Sequence, residues 1–172
     1  MNIRKSNMAD VEEILRLFAY AKEQMRLNGN PNQWADNYPS REVVEKDITD
    51  GNSYVLEEDG HICGTFAFIL GADPTYSVIE NGQWLNDESY GTIHRIASNG
   101  RAKGVFNQCL EFCQRHISNI RIDTHEDNLL MQHLIEKNGF QRCGIIYIKN
   151  GSPRIAYQRQ GELIPPHKSQ SI

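Results

Sequence analysis

Ile93-His94-Arg95-Ile96-Ala97-Ser98-Asn99-Gly100-Arg101-Ala102-Lys103-Gly104-Val105-Phe106 is the stretch around which the rest of the chain arranges itself. Its first half has the apolar content of a strand, and Val105 and Phe106 begin a helical pattern, so a turn containing Gly100 and Gly104 joins the two. A helix start exposes backbone N–H groups without intrahelical acceptors and carries the positive end of the helix dipole. Fed by a glycine-rich turn, it is a cradle for an anion. Arg101 and Lys103 point to a phosphate, although an ordinary turn with solvated charges fits the short pattern equally well.

Downstream, Val105, Phe106, Cys109, Leu110, Phe112 and Cys113 recur at helical spacing and predict a helix ending near His116. Ile120 to Asp123 reads as a short strand, and Asp127-Asn128 opens a helix that turns Leu130, Met131, Leu134 and Ile135 inward and stops at Asn138-Gly139. Two strands follow, 141–148 and 154–159, joined across Asn150-Gly151, a strong hairpin signal. Upstream, a short edge strand over Asn2 to Arg4 precedes a helix start in which Asn7 caps and Asp10 stands three residues later. Val11, Ile14, Leu15, Phe18 and Met25 carry that helix to about Arg26. Ser40 caps a second helix that runs to Ile48. Residues 53–57 and 61–70 are strands joined through Asp59-Gly60, and Tyr76 to Tyr90 is an irregular insertion in which Gln83-Trp84-Leu85 is expected to extend the sheet. The strand Gly91 to Ala97 leads back to the basic turn. The order is that of an α+β fold with a mixed sheet.

A chain of 172 residues is expected to hold one domain, here residues 1–160, with a loosely held tail over 161–172. With 18 basic against 22 acidic residues it lacks the charge footprint of a general nucleic-acid binder. No apolar run approaches the ~18 to 20 residues that cross a bilayer, so no membrane partner is expected, and the reading is a cytoplasmic monomer or homodimer. Cys63, Cys109, Cys113 and Cys143 lack the paired close spacing of a zinc site and read as buried thiols rather than as nucleophiles or metal ligands. No metal is expected.

Arg101-Ala102-Lys103-Gly104-Val105-Phe106 resembles the Arg/Gln-x-x-Gly-x-Gly/Ala acyl-CoA signature of the GNAT superfamily of N-acyltransferases, and Asn128 through Gly139-Phe140 looks like its Asn…Gly-Phe segment. Both occur in the family's order. The resemblance covers about Ile3 to Arg159 and implies a bent mixed sheet flanked by helices, splayed between its fourth and fifth strands. It implies acetyl-CoA as cosubstrate, with the diphosphate on the backbone N–H groups of Arg101, Ala102, Lys103, Gly104, Val105 and Phe106. The thioester carbonyl would meet an N–H of Ile96 or Ala97, and the pantetheine arm would lie along the strand to Ser98, against Asn128 and Met131. Asn128 is also a plain helix N-cap, and it can serve both purposes.

Acetyl transfer to an amine also needs a base and a proton donor. His94 is the titratable group nearest the expected reaction centre, though a packed sheet histidine fits the pattern equally well. Its neighbour Arg95 is expected on the opposite face. Where many family members place a tyrosine donor this chain has Ile135, so Tyr147, Tyr157 and His125 are the candidate substitutes, Tyr147 the preferred one, and a thiolate can also take its proton from solvent. Trp34 and Tyr38 either lid the core or line an acceptor site with Trp84 and Tyr90. The reading is an acetyl-CoA-dependent N-acetyltransferase acting on a primary amine of a small molecule or peptide by direct attack in a ternary complex. The alternative is a non-catalytic acyl-CoA binding module, because Phe106 and Ile135 both depart from the family pattern. A structural domain with no CoA site requires the two ordered motifs to be coincidence.

Overall fold

Alternating apolar positions build β1 (Asn2–Lys5), β2 (Ser53–Glu58), β3 (His61–Leu70), β4 (Gly91–Ser98), β5 (Asn119–Thr124), β6 (Gln141–Tyr147) and β7 (Pro153–Gln160). The helices are α1 (Val11–Leu27), α2 (Arg41–Thr49), α3 (Val105–Gln114) and α4 (Leu129–Lys137). The computed structural model describes residues 1–165. The rest of the expected tail, 166–172, lies outside the described residues. Where the tail is described, the Gly161 and Ile164 N–H groups donate to Ser118 O and Gln114 O.

The strands form one seven-stranded sheet in the order β1-β2-β3-β4-β5-β7-β6. Every pairing is antiparallel except β4 with β5. That parallel junction holds only at Gly91↔Ile120 and Thr92↔Arg121, after which the strands part, giving the mixed sheet splayed between its fourth and fifth strands. Gly91 is needed there for close approach, since a Cβ would sit 2.5 Å from the Phe68 ring.

One face of the sheet carries α3 and α4. Phe106, Cys109, Leu110 and Ile135 pack against Phe66, Ile93, Ile120 and Tyr157 in a core that spans both sides of the splay. On the other face α1 and α2 cover only β2 to β4, with Ile14, Phe18 and Val44 against Val55 and Ala97. That cover is tied down at its start, where Asn7 and Asp10 cap each other reciprocally and Arg4 grips the Asp10 carboxylate at 2.8 and 3.0 Å. The insertion between β3 and β4 covers the second face over β6 and β7, with Tyr76 and Tyr90 on Ile146 and Ala156. The second face therefore has two covers that meet over β4 and β5.

The insertion departs from the sequence reading at Gln83-Trp84-Leu85, which forms no strand. Glu80 takes that role, exchanging two 2.8 Å backbone hydrogen bonds with Ile145 on β6. The backbones then press together, since a Cβ at Gly82 would lie 1.8 Å from Cys143 O and one at Gly144 2.5 Å from Glu80 O. Trp84 turns inward, its indole N–H donating to Tyr76 O at 2.9 Å.

β4 carries a bulge. Thr65 pairs with Ala97 and Ala67 with His94, so Arg95 and Ile96 together oppose Phe66, with Arg95 at φ 51. The bulge overturns the expectation that His94 and Arg95 face opposite ways. Ile93 and Ile96 lie in the α3 core, whereas His94 and Arg95 both turn to the second face, because the extra residue suspends strand alternation.

Candidate active site

At the end of β4, the side chain of Asn99 accepts from Arg101 N–H, and α3 starts after Gly104 at φ 71 with no side-chain cap. Among the described residues, no acceptor of this chain reaches the N–H groups of Ala102, Lys103, Gly104, Val105, Phe106 or Asn107. A Cβ at Gly104 would meet nothing within 4 Å, so the turn opens outward. Phe106 does not crowd it, because its ring is 5% exposed and packs in the α3 core. A run of unspent donors at a helix start fits a diphosphate, and Arg101 and Lys103 flank it.

The edge of β4 that faces the splay continues this donor array. Asn99 N–H donates to Cys63 O on β3, so by alternation Ala97 also faces β3 while Ile96 and Ser98 turn their N–H groups into the gap. Across the gap Asn128 caps α4 through Met131 N–H at 3.1 Å and donates its amide to Gln33 Oε1 at 2.8 Å. Gln33 Oε1 also accepts from Asn30 Nδ2 and Thr124 Oγ1, which fixes the segment before α2 over the end of β5.

On the second face, His94 Nε2 lies 2.8 Å from Asp73 Oδ2. Asp73 caps a short turn of the insertion, accepting from the Thr75 N–H and hydroxyl, while its own N–H donates to the Tyr90 hydroxyl. Burial opposes ionisation of Asp73, but the bonds from His94 and Thr75 outweigh it and hold the carboxyl at about 2. With Nε2 committed to Asp73, no residue of the described chain occupies His94 Nδ1. Tyr76 packs beside the His94 ring and donates its hydroxyl to Asp123 Oδ2 at 2.6 Å, and burial pushes that phenol well up. Arg95 forms a fork on Asp47 of α2 at 2.8 Å and donates to the Tyr38 hydroxyl at 3.0 Å.

The site residues read from the sequence thus fall into groups. Ile96, Ser98, the turn from Arg101 to Phe106, Asn128 and His94 surround the splay, and Met131 packs against the α3 core. Tyr38 is partly exposed next to the bulge, while Trp34 is 7% exposed and packs edge-on against Phe18. Trp84 and Tyr90 sandwich the Arg121 guanidinium at 4.0 and 3.9 Å from their ring centres. Tyr147 sits at the far edge strand, where its hydroxyl donates to Glu80 at 2.9 Å and that bond raises its pKa. No described hydrogen bond joins it to the His94 group. All four cysteines are free and buried. A shallow groove of about 400 Å³ between α1 and residues 36–42 shares Tyr38 with this region but includes neither His94 nor Asp73. Sequence reasoning did not single out Asp73, Tyr76, Asp47, Gln33 or Arg154.

Residues 13–140 match the model of the Acetyltransferase (GNAT) family. The chain belongs to that family. Its fold is similar to that of a GNAT-family acetyltransferase from Streptococcus agalactiae at 34% identity and TM-score 0.85, covering 94% of this chain and 95% of that one. A GNAT-family acetyltransferase from Listeria monocytogenes shares the fold at 20% identity and TM-score 0.70, over 93% and 94% of the two chains. So does the GphF GNAT-like decarboxylase in complex with isobutyryl-CoA, at 15% identity and TM-score 0.61, over 93% and 99%. No curated protein matches the chain. Family membership makes acyl-CoA-dependent acyl transfer the general chemistry of the fold described above. No helix among the described residues is long and apolar enough to cross a membrane, and no group of three or more His, Cys, Asp or Glu among them is placed to hold a metal ion.

Proposed function

We propose that this GNAT protein transfers an acetyl group from acetyl-CoA to a primary amine of a small molecule or peptide, by direct attack within a ternary complex. The observation that carries the reading is the His94–Asp73 pair, placed one residue before the bulge and on the face opposite the α3 donor array. The backbone from Ala102 to Asn107 holds the diphosphate, Ile96 and Ser98 offer their N–H groups along the splay, and Asn128 and Met131 border its other side. Bound acetyl-CoA supplies an activated acyl carbon and a thiolate that takes its proton from solvent. Asp73 fixes the His94 proton on Nε2, which leaves the Nδ1 lone pair to accept a proton from the attacking amine. Ile96 N–H is the donor for a carbonyl oxygen at the bulge. Tyr38 borders the acceptor side.

Isothermal titration with acetyl-CoA tests the reading directly: saturable binding is expected, and no detectable binding refutes it. Thiol release with a panel of amines then separates an enzyme from a binding-only module. The burial of Phe106 removes one of the two departures that favour the module. Binding without turnover across the panel would restore it.

A further inference from the structure

Buried guanidinium groups in this protein are matched to something. Arg95 has the Asp47 carboxylate, and Arg121 has the faces of Trp84 and Tyr90. Arg154 contacts neither: the Asp123 carboxylate acts on it through space but forms no ion pair with it. Arg154 is 4% exposed, and it donates only to neutral oxygens: Ser152 Oγ at 2.6 Å, Pro153 O at 2.8 Å and Gln33 O at 2.8 Å. Among the described residues no carboxylate lies within 4.0 Å of it. Those bonds occupy both Nη1 donors and one on Nη2, leaving Nε–H and a second Nη2–H, and Nε is not sealed from solvent. A desolvated cation with unused donors is costly unless something completes it.

The sheet registers place this cation near the proposed base. Beyond Thr92↔Arg121, the last pair of the parallel junction, His94 lies two residues along β4 and Asp123 two residues along β5, and Asp123 pairs with Ala156 on β7. Arg154 is one pleat further toward the open end of the splay, on the same face. His94 and Arg154 thus stand on the same face of the sheet, on either side of the splay.

We propose that Arg154 binds the carboxylate of the acceptor, and that the acceptor is therefore an amino acid, presenting its amine to His94 and its carboxylate to the Arg154 fork. This rests on the acetyltransferase reading above. A guanidinium edge matches a planar carboxylate. Asp73 and Asp123 on the same face make the site unfavourable for a dianion such as a phosphate. A peptide N-terminus has its α-carboxyl tied up in an amide and offers no carboxylate beside its amine.

Isothermal titration of the protein without cofactor, using amino acids, their amides, the matching decarboxylated amines and aminoalkyl phosphonates, reads the site directly. Amino acids are expected to bind roughly ten- to hundredfold more tightly than amides or amines, the range of a charge-assisted hydrogen-bond pair. Arg154→Gln should abolish that preference while leaving acetyl-CoA affinity within about twofold, and Arg154→Lys should recover part of it. In turnover, the loss in Arg154→Gln should appear in KM for amino acids and not for amides. Equal binding of acids and amides by the wild type overturns the proposal, as does a preference for phosphonates. So does an equal loss for acids and amides in Arg154→Gln, which would mean that Arg154 only pins the Gln33 segment. Should Arg154→Gln fail to fold, the wild-type comparison of acid with amide decides alone. Failure to bind acetyl-CoA would defeat the acetyltransferase reading and leave that comparison standing.

Discussion

Asp73→Asn removes one charge beside His94 and keeps an oxygen that accepts from the Thr75 N–H and hydroxyl. The native carboxyl is held at about 2 against an ordinary 3.8, with burial resisting and the bonds from His94 and Thr75 prevailing. At about 1.36 kcal/mol per pH unit, that displacement corresponds to roughly 2 kcal/mol of folding stability. Because the folded value is depressed, the contribution is present above the unfolded value near 4 and is lost as pH falls through about 2. Urea denaturation at pH 5, where free carboxylates are ionised, compares the two proteins with the Asp73 carboxylate charged. The variant should be less stable by about 2 kcal/mol at pH 5, and the difference should close as the pH is lowered toward 2. Equal stabilities at pH 5, or a difference that persists unchanged down to pH 2, would refute the pairing.

Gly104→Glu should abolish acetyl-CoA binding in a titration, since it puts a carboxylate at the mouth of the donor array, and should cost about 1 kcal/mol of stability from a side chain at positive φ. Unchanged affinity would place the diphosphate elsewhere. His94→Ala should lower kcat by about 10² or more while acetyl-CoA affinity stays within a few fold, and a wild-type rate would remove His94 as the base. Phe106→Leu should cost about 1 to 2 kcal/mol in thermal or urea denaturation with cofactor affinity retained, because the ring belongs to the core and only the N–H belongs to the cradle. A large loss of affinity at unchanged stability would contradict that division.

Most of the architecture could be read from local chemistry. Asp59-Gly60 and Asn150-Gly151 mark the hairpins, Asn7 and Asp10 announce α1, and the apolar spacing from Val105 to Cys113 marks α3. Such signals act over a few residues and need no partner. The donor array at Gly104 is also local, which is why the basic turn could be singled out from the sequence. The bulge could not. Arg95 takes its positive φ where its side chain meets Asp47 and Tyr38, which lie 48 and 57 positions away in sequence. Asp73 stands 21 residues before His94 in what reads as an ordinary turn, and Arg154 shows its missing counter-ion only once the sheet is assembled. The aromatic surface of Trp84 and Tyr90 reads in the sequence as an acceptor wall, and only the fold shows Arg121 between them.

The junction between β4 and β5 rests on two residue pairs, which makes the sheet two stiff plates joined along a short seam. Resistance to opening comes less from the backbone ladder than from the side chains that bridge the seam beneath α3 and α4, where Ile93 of one plate and Ile120 of the other share a core with Phe106, Leu110 and Ile135. Compliance of the wedge is thus set by side chains that touch nothing in the gap. Changes of volume among them alter how easily the plates breathe, and with it the rate at which anything held between them escapes, with every contact in the gap left as it was.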